Sequence, residues 1–480
     1  MAEENIFFLP VSQFCRRVYY TCEVDEPVVE LAATMAEKNV SSLVVRAGGD
    51  PVGIITDRDL RNKVVAIGAD PRALRARQIM NGPLITVSEQ DSFFEVVYQM
   101  SRHGIHRVGV VDEQGRLCGM VVESDLIKLQ TKSPQHLVKE FENAASIAEL
   151  KAHYREIEEL VVFLHNAGVR TPDLVRLISD LHDQLLLRLV ELLREERFPE
   201  LTERFAFVVL GSEGRGEQTL KTDQDNAIIH AEDLGAAELE RLEAFSAALI
   251  AALIEIGIPE CPGGIMAKNP FWRRSLGEWT RAIDQWIGNP VSQNILNFSM
   301  VADVRLIYGD PGLVAELKEH ILGRSAGNTL FMARMAANVA RFNPPLGIFG
   351  GFRVEKEGEH KGQIDLKKAG IFVITEGMKV LALEAGLLGG STREKIGRLR
   401  DKGVLGPKQA EDLEASFTLL AFFRLRGQVK AIAEGGEPDN FIDPESLNRV
   451  EEARFHEALE VVKSFQGTLK GHFRLNMLAG

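Results

Sequence analysis

The segment Gly211–Asn226 reads Gly-Ser-Glu-Gly-Arg-Gly-Glu-Gln-Thr-Leu-Lys-Thr-Asp-Gln-Asp-Asn, a glycine-rich turn followed by two aspartates, Asp223 and Asp225, one residue apart. The apolar run Phe205–Leu210 before the turn has the length and β-branched content of a strand. A second short apolar run, residues 227–229, follows soon after the two aspartates. The pattern therefore predicts a strand, a tight turn and a second strand that carries both acids.

The two aspartates are predicted to face the same side of that strand, because residues i and i+2 of a strand point to one face. Two carboxylates in one small volume repel each other unless a cation lies between them. Mg²⁺ (or Mn²⁺) takes oxygen ligands and binds through one or two carboxylates plus substrate phosphates. Upstream glycines let backbone N–H groups approach a phosphate. An Asp-x-Asp pair in an ordinary surface loop is the alternative.

The full string Gly-Ser-x-Gly-Arg-Gly-Glu, five residues, then Asp-x-Asp resembles the signature of the polymerase-β-like nucleotidyltransferases. It is most similar to the branch containing PII uridylyltransferase and glutamine synthetase adenylyltransferase. The resemblance implies that Gly211 and the Ser212 and Arg215 side chains hold the triphosphate of an NTP substrate. It also implies that Asp223 and Asp225 are catalytic metal ligands and that a third carboxylate on a later strand completes the site.

Asp303 is the predicted third carboxylate, with a catalytic and a metal-binding role. It lies in the apolar run Met300–Asp310, where an acid and Arg305 stand two apart and would share one face of a strand. In this position it would also accept the proton of the acceptor. The alternative is an ion pair with Arg305 at a strand end, a frequent arrangement of small energetic value.

Composition bounds the class of protein. A chain of 480 residues with 45% hydrophobic content is long enough for three domains. The 56 basic and 69 acidic residues give a formal charge of −13 without a continuous basic block, so nucleic-acid binding is disfavoured. Four scattered cysteines and no secretory leader predict a cytoplasmic protein. The apolar stretch 244–258 is interrupted and too short for a membrane span.

The first 130 residues contain an internal repeat. Leu31–Val45 and Gly53–Leu60 recur as Val96–Val110 and Gly119–Leu126, with offsets of 65 and then 66 residues. The pattern of each copy predicts a helix, a strand, a turn, a second strand and a second helix, in that order. The repeat resembles a tandem pair of cystathionine-β-synthase (CBS) domains over residues 11–129. That resemblance implies an adenine nucleotide effector in the clefts between the copies and a homodimer formed through the pair.

The regulatory nucleotide-binding residues implied by the CBS resemblance are Thr56, Asp59 and Asp125. In the second copy Val122 replaces Thr56, and a valine offers no hydrogen bond to ribose or phosphate. The two clefts are therefore expected to be unequal. Thr56 three residues before Asp59 is also the pattern of a helix N-cap, and that alternative stays open.

Helical spacing dominates the rest of the chain. Residues 131–200 alternate charged and apolar residues, and long helices are predicted over 330–340, 372–385 and 411–424. The predicted fold class is a multidomain α/β and α protein. Its parts are a tandem CBS pair (1–130), a helical connector (131–200), a polymerase-β-like nucleotidyltransferase domain (201–322) and an all-α C-terminal domain (323–480).

The three tryptophans, Trp272, Trp279 and Trp286, are spaced by seven residues. Seven residues is close to two helical turns, which predicts one stripe. The stripe is interpreted as buried against the transferase sheet, with a docking face for a protein substrate as the alternative.

The sequence thus predicts a CBS-regulated enzyme that transfers a nucleoside monophosphate from an NTP to a protein acceptor with Mg²⁺, as the uridylyltransferase resemblance implies. Two other classes remain open. One is a non-catalytic adenine-nucleotide sensor or scaffold. The other is a nucleic-acid nucleotidyltransferase, which the acidic charge disfavours.

Overall fold

The computed structural model describes residues 10–123, 125, 134–166, 168–347 and 351–477. The chain forms two compact units, Met1–Ser133 and Pro134–Gly480. Each unit has its own sheets and its own apolar core. The end of the predicted repeat, residues 126–129, lies outside the described residues.

The first unit contains two copies of one arrangement of strands and helices. The elements are β1 Thr21–Glu23, α1 Val28–Lys38, β2 Ser42–Ala47, β3 Asp50–Thr56, α2 Asp57–Leu60, α3 Ala76–Ile79, β4 Thr86–Ser88, α4 Phe93–His103, β5 Arg107–Val111 and β6 Leu117–Val122. β1 is parallel to β2, which is antiparallel to β3, and β4, β5 and β6 repeat this order. The register shifts after Val45 in one copy and after Val110 in the other. The predicted duplication is confirmed, and each copy gains a first strand that the sequence pattern did not indicate.

Three helices begin the second unit. They are α5 Pro134–Asn143, α6 Ile147–Asn166 and α7 Thr171–Glu196. Their apolar faces, including Leu160 and Leu185, belong to the same hydrophobic cluster as Phe207 of the central sheet. The helices of the predicted connector are therefore part of the core that supports the sheet.

The sheet of the second unit has four strands in the order β10-β7-β8-β9. β7 is antiparallel to β8 and β10, and β8 is parallel to β9. β7 and β8 are buried along their whole length, which explains their continuous apolar runs. The elements of this region are β7 Phe205–Val209, α8 Gly211–Arg215, β8 Asn226–His230, α9 Ala236–Ile256, β9 Arg273–Ser275, α10 Leu276–Gly288, α11 Ser292–Val301, β10 Arg305–Gly309 and α12 Pro311–Ser325.

The C-terminal region is largely helical and has a second hydrophobic cluster. Its elements are α13 Thr329–Val339, β11 Ile364–Asp365, α14 Phe372–Glu384, α15 Thr392–Asp401, α16 Pro407–Ala433, β12 Phe441–Ile442 and α17 Arg449–His472. The short strands β11 and β12 pair antiparallel. The predicted long helices are confirmed. Within the described ranges, no helix combines the length and apolarity needed to cross a membrane.

The tryptophan stripe is part of the core. Trp272 lies in a 3₁₀ turn before β9, and Trp279 and Trp286 lie on α10, all at most 3% exposed. The indole Nε1 of Trp279 donates to the backbone oxygen of Ile228 at 3.0 Å. The burial excludes the docking-face alternative and explains the spacing as packing against the sheet.

Candidate functional site

The glycine-rich turn lies directly against the segments that carry the predicted acids. Gly211 has a φ of +53°, and a Cβ atom there would lie 3.0 Å from Oδ2 of Asp225. A Cβ atom on Gly214 would lie 2.0 Å from the backbone oxygen of Asp303. Only residues without a side chain permit approaches this close. The glycines therefore set the geometry of the site as well as that of the turn.

Asp223 and Asp225 lie in an extended segment just before β8, which begins at Asn226. The prediction that both acids lie on the strand is wrong, because Asp223 and Asp225 stand three residues and one residue before its start. The backbone of the segment still bonds to its neighbours, since Leu210 N donates to Asp225 O at 2.8 Å and Gln224 N donates to Pro259 O at 3.2 Å. Burial still alternates along it, with Gln224 1% exposed and both aspartates only partly buried. The two acids therefore share the less buried side of the segment.

The surroundings of Asp225 disfavour a negative charge. Burial, followed by the charge of Asp223, raises the pKa of Asp225 to about 6, although a hydrogen bond from the Cys261 thiol and the charge of Lys367 lower it. The buried Glu213 carboxylate accepts a hydrogen bond from the backbone N–H of Asp225 at 3.3 Å. Burial and then Asp225 raise the Glu213 pKa well above its usual range. Acids crowded in this way favour a bound cation.

Asp303 does not join the aspartate pair. Its fully buried carboxylate lies 2.6 Å from Arg215 Nη1, 2.8 Å from Lys379 Nζ and 3.2 Å from Lys395 Nζ. Burial raises its pKa, but Lys379, Lys395 and Arg215 together hold it well below its usual range. Among the described residues, no three His, Cys, Asp or Glu side chains form a group that could hold a metal ion. The predicted three-carboxylate cluster is therefore not formed, because three cations already neutralise Asp303.

The backbone around Asp303 also differs from the prediction. Asp303 lies in the turn between α11 and β10, before the strand begins at Arg305. Arg305 Nη2 donates to Oδ1 of Asp183 on α7 at 2.9 Å. The alternative ion pair between Asp303 and Arg305 is therefore not formed either.

Arg215 is also neutralised by acids. Its Nε donates to Oε2 of Glu217 at 2.7 Å and its Nη1 to Oδ2 of Asp303 at 2.6 Å. Burial lowers the pKa of Arg215, but Asp303 and Glu217 raise it above its usual value. Gly211, Ser212 and Arg215, the residues predicted to hold a triphosphate, all line one cleft. Of these three residues, Arg215 lines the cleft with its positive charge already neutralised by Asp303 and Glu217.

Lys379 and Lys395 are site residues that the sequence reasoning missed. Both are 2% exposed, on α14 and α15. Lys379 Nζ also donates to the backbone oxygen of Ser299 at 2.9 Å and to Oε1 of Glu376 at 2.7 Å. A lysine within the apolar run of α14 is a signal that could have revealed Lys379. The charged sequence around Lys395 offers no comparable signal.

The cleft has a volume of about 790 Å³, within the range of small-molecule sites. It lies between the glycine-rich turn and the C-terminal helices. Lys367 reaches it from a π-helical turn, Lys367–Ile371, that precedes α14. The lining includes Gly211, Ser212, Asp225, Arg305, Lys367 and Arg424. The cleft thus combines the glycine turn, one of the paired acids and several cations.

In the first unit, Thr56 and Asp59 form a capping box at the start of α2. Thr56 Oγ1 accepts from Asp59 N at 3.3 Å, and Thr56 N donates to Asp59 Oδ2 at 2.9 Å. Asn81 Nδ2 and Lys63 Nζ contact Oδ1 of Asp59 at 2.8 and 3.1 Å. The N-cap arrangement that the sequence left open is present, and a ribose would compete with these partners.

Asp125 holds the corresponding place in the second copy. Its Oδ2 accepts from the backbone N–H of Val122 at 3.2 Å and from Nε of Arg16 at 2.9 Å. Val122 supplies no hydroxyl where Thr56 supplies one. The two copies therefore place an acid at the same point with different partners.

Three family models match the chain. The CBS-domain model matches residues 11–66 and 76–132. A model described as "Putative nucleotidyltransferase DUF294" matches 155–293, and one described as "Putative nucleotidyltransferase substrate binding domain" matches 329–473. The chain therefore carries a tandem pair of CBS domains followed by regions that match these two DUF294 models. The DUF294 match begins within α6, in agreement with the core that α6 shares with the sheet.

Curated relatives match about a quarter of the chain. "Uncharacterized protein MK0525" from Methanopyrus kandleri is 40% identical over 121 residues, 25% of this chain and 62% of that protein. "Hypoxic response protein 1" from Mycobacterium tuberculosis is 30% identical over 126 residues, 26% of this chain and 85% of that protein. Among solved structures, a "putative signal-transduction protein with CBS domains" from Burkholderia ambifaria is 33% identical with a TM-score of 0.23, covering 23% of this chain and 82% of that chain.

Proposed function

We propose that the second unit transfers a nucleoside monophosphate from an NTP to a hydroxyl of a protein acceptor in a Mg²⁺-dependent reaction. The observation that carries the proposal is the position of Asp223 and Asp225. They share the less buried side of one extended segment, and Asp225 lies against the Gly211 turn in a ligand-sized cleft. The match to a nucleotidyltransferase model over residues 155–293 supports this chemistry.

The donor set fits a Mg²⁺ or Mn²⁺ ion. Asp223 and Asp225 offer oxygen atoms, and neither has an ion-pair partner among the described residues. Two carboxylates plus substrate phosphates are a usual set of ligands for this ion. When bound, the ion would neutralise negative charge on the leaving pyrophosphate.

In the proposed reaction the acceptor oxygen bonds to the α-phosphorus while the bond from that phosphorus to the β-bridging oxygen breaks. Pyrophosphate leaves with the bonding electrons, and the hydroxyl proton passes to solvent. Gly211 and Ser212 line the space for the phosphates. Asp303 is not assigned the proton, because its three cationic partners lower its pKa and make it a weak base.

One observation favours a second candidate, a nucleotide-binding protein without transferase activity. The carboxylate expected to complete the catalytic set, Asp303, is held by Arg215, Lys379 and Lys395 instead. A cleft with two acids can bind a metal–nucleotide complex without promoting transfer. The two candidates differ in whether a covalent product forms.

The test incubates the purified full-length chain with Mg²⁺, each α-³²P-labelled NTP and a cell lysate. Label in protein supports the proposal, label in RNA indicates a nucleic-acid acceptor, and nucleotide binding without label indicates the sensor. Asp223→Asn and Asp225→Asn should abolish labelling. Asp233→Asn is the matched control, since this exposed acid pairs with Arg204 beyond the end of β8.

We propose further that the CBS pair binds an adenine nucleotide through Thr56 and Asp59 and thereby regulates the second unit. The CBS match supports this proposal, and a ribose that binds Asp59 would have to displace its present partners Asn81 and Lys63. A homodimer formed through the pair is part of the same proposal. Sedimentation of the full chain with and without AMP, ADP and ATP would test both the dimer and its response.

A further inference from the structure

Arg424 is a buried cation on the wall of the cleft. It lies on α16, and 8% of the residue is exposed. It lines the same cleft as Ser212, Asp225 and Lys367. The C-terminal region therefore brings a guanidinium to the space where the phosphates of a nucleotide are expected.

The hydrogen-bond partners of Arg424 are neutral. Its Nε donates to Oδ1 of Asn440 at 2.6 Å, and its Nη2 donates to the backbone oxygen of Lys221 at 3.4 Å. Among the described residues, no carboxylate lies within ion-pair distance of its guanidinium; Asp365 and Asp223 act on it only from farther away. The positive charge is thus oriented by polar groups but not neutralised.

The other buried cations around the cleft differ in this respect. Arg215 pairs with Asp303 and Glu217, Lys379 pairs with Asp303 and Glu376, and Lys395 pairs with Asp303. These groups balance one another and leave no charge for a ligand. Arg424 stands apart from this network and retains an unbalanced positive charge.

Burying an uncompensated charge is unfavourable, and proteins usually pair such a group. Burial lowers the pKa of Arg424 to about 10, with Asp365 and Asp223 raising it and Arg215 lowering it further. The guanidinium therefore stays protonated at neutral pH. A guanidinium that is buried without a direct acid partner among the described residues is suited to binding an anionic ligand.

We propose that Arg424 binds the polyphosphate chain of the nucleotide and takes the role that the sequence suggested for Arg215. The proposal rests on the proposed function of the cleft. A guanidinium matches phosphate geometry with two parallel N–H donors. Asp225 lines the same cleft, and a triphosphate near this acid needs cations of its own to offset the repulsion. Lys367, on the same cleft and without an ion-pair partner among the described residues, would assist it.

The test measures binding of inorganic tripolyphosphate and of a non-hydrolysable Mg²⁺–NTP analogue to the full chain by calorimetry. We expect Arg424→Met to weaken both by about 10- to 100-fold, the range of a lost hydrogen-bonded charge. Arg424→Lys should retain part of the affinity. Arg426→Met is the matched control, because Arg426 lies on the same helix, pairs with Glu451 and is not part of the cleft lining.

Thermal unfolding of the same proteins separates binding from folding. Without ligand, Arg424→Met should be as stable as wild type or more so, because the uncompensated charge is removed. Tripolyphosphate should raise the melting temperature of wild type and Arg426→Met but not of Arg424→Met. The proposal is overturned if Arg424→Met binds both probes with unchanged affinity. It is also overturned if Arg424→Lys and Arg424→Met lose ligand-free stability while their affinity for the probes stays normal, because Arg424 would then have a purely structural role. A wild type that binds neither probe overturns the proposed function itself.

Discussion

Arg215 of the glycine-rich turn and Asp303 of the segment before β10 lie with Nη1 and Oδ2 2.6 Å apart, so each neutralises the other. The pairing removes both residues from the roles that the resemblance implies. The acid is not a third metal ligand, and the arginine is not a free phosphate-binding cation. In the proposed reaction, metal binding therefore falls to Asp223 and Asp225, and phosphate binding falls to the turn and to other cations.

Asp303→Asn should destabilise the second unit strongly. Removing the carboxylate leaves Arg215, Lys379 and Lys395 with less compensation in a buried place, and breaking such a network costs about 3 to 5 kcal/mol. Urea denaturation measures the loss, with Asp233→Asn as the control. Mn²⁺ binding, followed by electron paramagnetic resonance, should survive in conditions where the variant is folded. A variant of normal stability that no longer binds Mn²⁺ would restore Asp303 as a metal ligand.

Asp225→Asn should abolish transfer and yet stabilise the metal-free protein. Burial and the charge of Asp223 raise the pKa of Asp225 to about 6, so the wild type holds an unfavourable charge at neutral pH. Replacing it should raise the free energy of unfolding by up to about 3 kcal/mol in EDTA. Mg²⁺ should stabilise the wild type and not the variant. Transfer that persists in both Asp225→Asn and Asp223→Asn would contradict the site assignment.

Gly214→Ala should prevent the turn from closing. Its Cβ atom would lie 2.0 Å from the backbone oxygen of Asp303, and backbone cannot yield as a flexible side chain can. We expect a loss of several kcal/mol, on the order of other overpacking changes at rigid sites. Gly288→Ala is the control, because nothing lies within 4 Å of its added methyl group. Equal melting temperatures for the two variants would show that the turn is looser than the structure indicates.

His182 should make stability depend on pH. It is fully buried on α7, burial lowers its pKa to about 4, and its Nδ1 lies 3.1 Å from Nε2 of Gln218. Between about pH 6.5 and 4 the unfolded chain binds the proton and the folded chain does not, so stability falls as pH falls. The loss approaches about 3 kcal/mol. His182→Gln should flatten this dependence in denaturation measured from pH 7 to pH 4.5, and an identical slope in the variant would refute the assignment.

Adenine nucleotide in the first unit should change the transferase rate, by about 5- to 150-fold if the coupling is typical. Asp59→Asn should remove this response and keep the basal rate, since Asp59 belongs to the other unit. The substitution also weakens the capping box at the start of α2, so the melting temperature must be followed in parallel. Asp50→Asn, an exposed acid of β3, is the control. Identical effector curves for wild type and Asp59→Asn would leave the pair as a scaffold.

The sequence predicted what depends on local pattern. The duplication of the first unit, the strand Phe205–Val209 and the long C-terminal helices all follow from spacing and composition. The predicted tight turn after that strand is instead the short helix α8, Gly211–Arg215. The starting residues of β8 and β10 were harder to predict from the sequence. Asp225 and Asp303 stand just before these strands begin, and where a strand begins depends on its hydrogen bonds to the neighbouring strand.

The partners of Asp303 could not be predicted in the same way. Lys379 and Lys395 are far from it along the chain and reach it only through the packing of α14 and α15. A motif identifies which residue types a chemistry needs, but the charge that each group keeps depends on all its neighbours in space. The same reason hides Arg424, which has no carboxylate within ion-pair distance in the part of the chain that the structure describes.

The carboxylate of Asp303 is contacted from three separate stretches of chain, namely the turn through Arg215, α14 through Lys379 and α15 through Lys395. Moving the helical wall away from the turn would expose several buried charges at once, which makes gradual opening costly. The cleft is therefore expected to be pre-organised, with little reorganisation on ligand entry. Selectivity among nucleotides would then arise from steric fit to a fixed wall, so that bulkier bases or acceptors are rejected by shape before any chemistry begins.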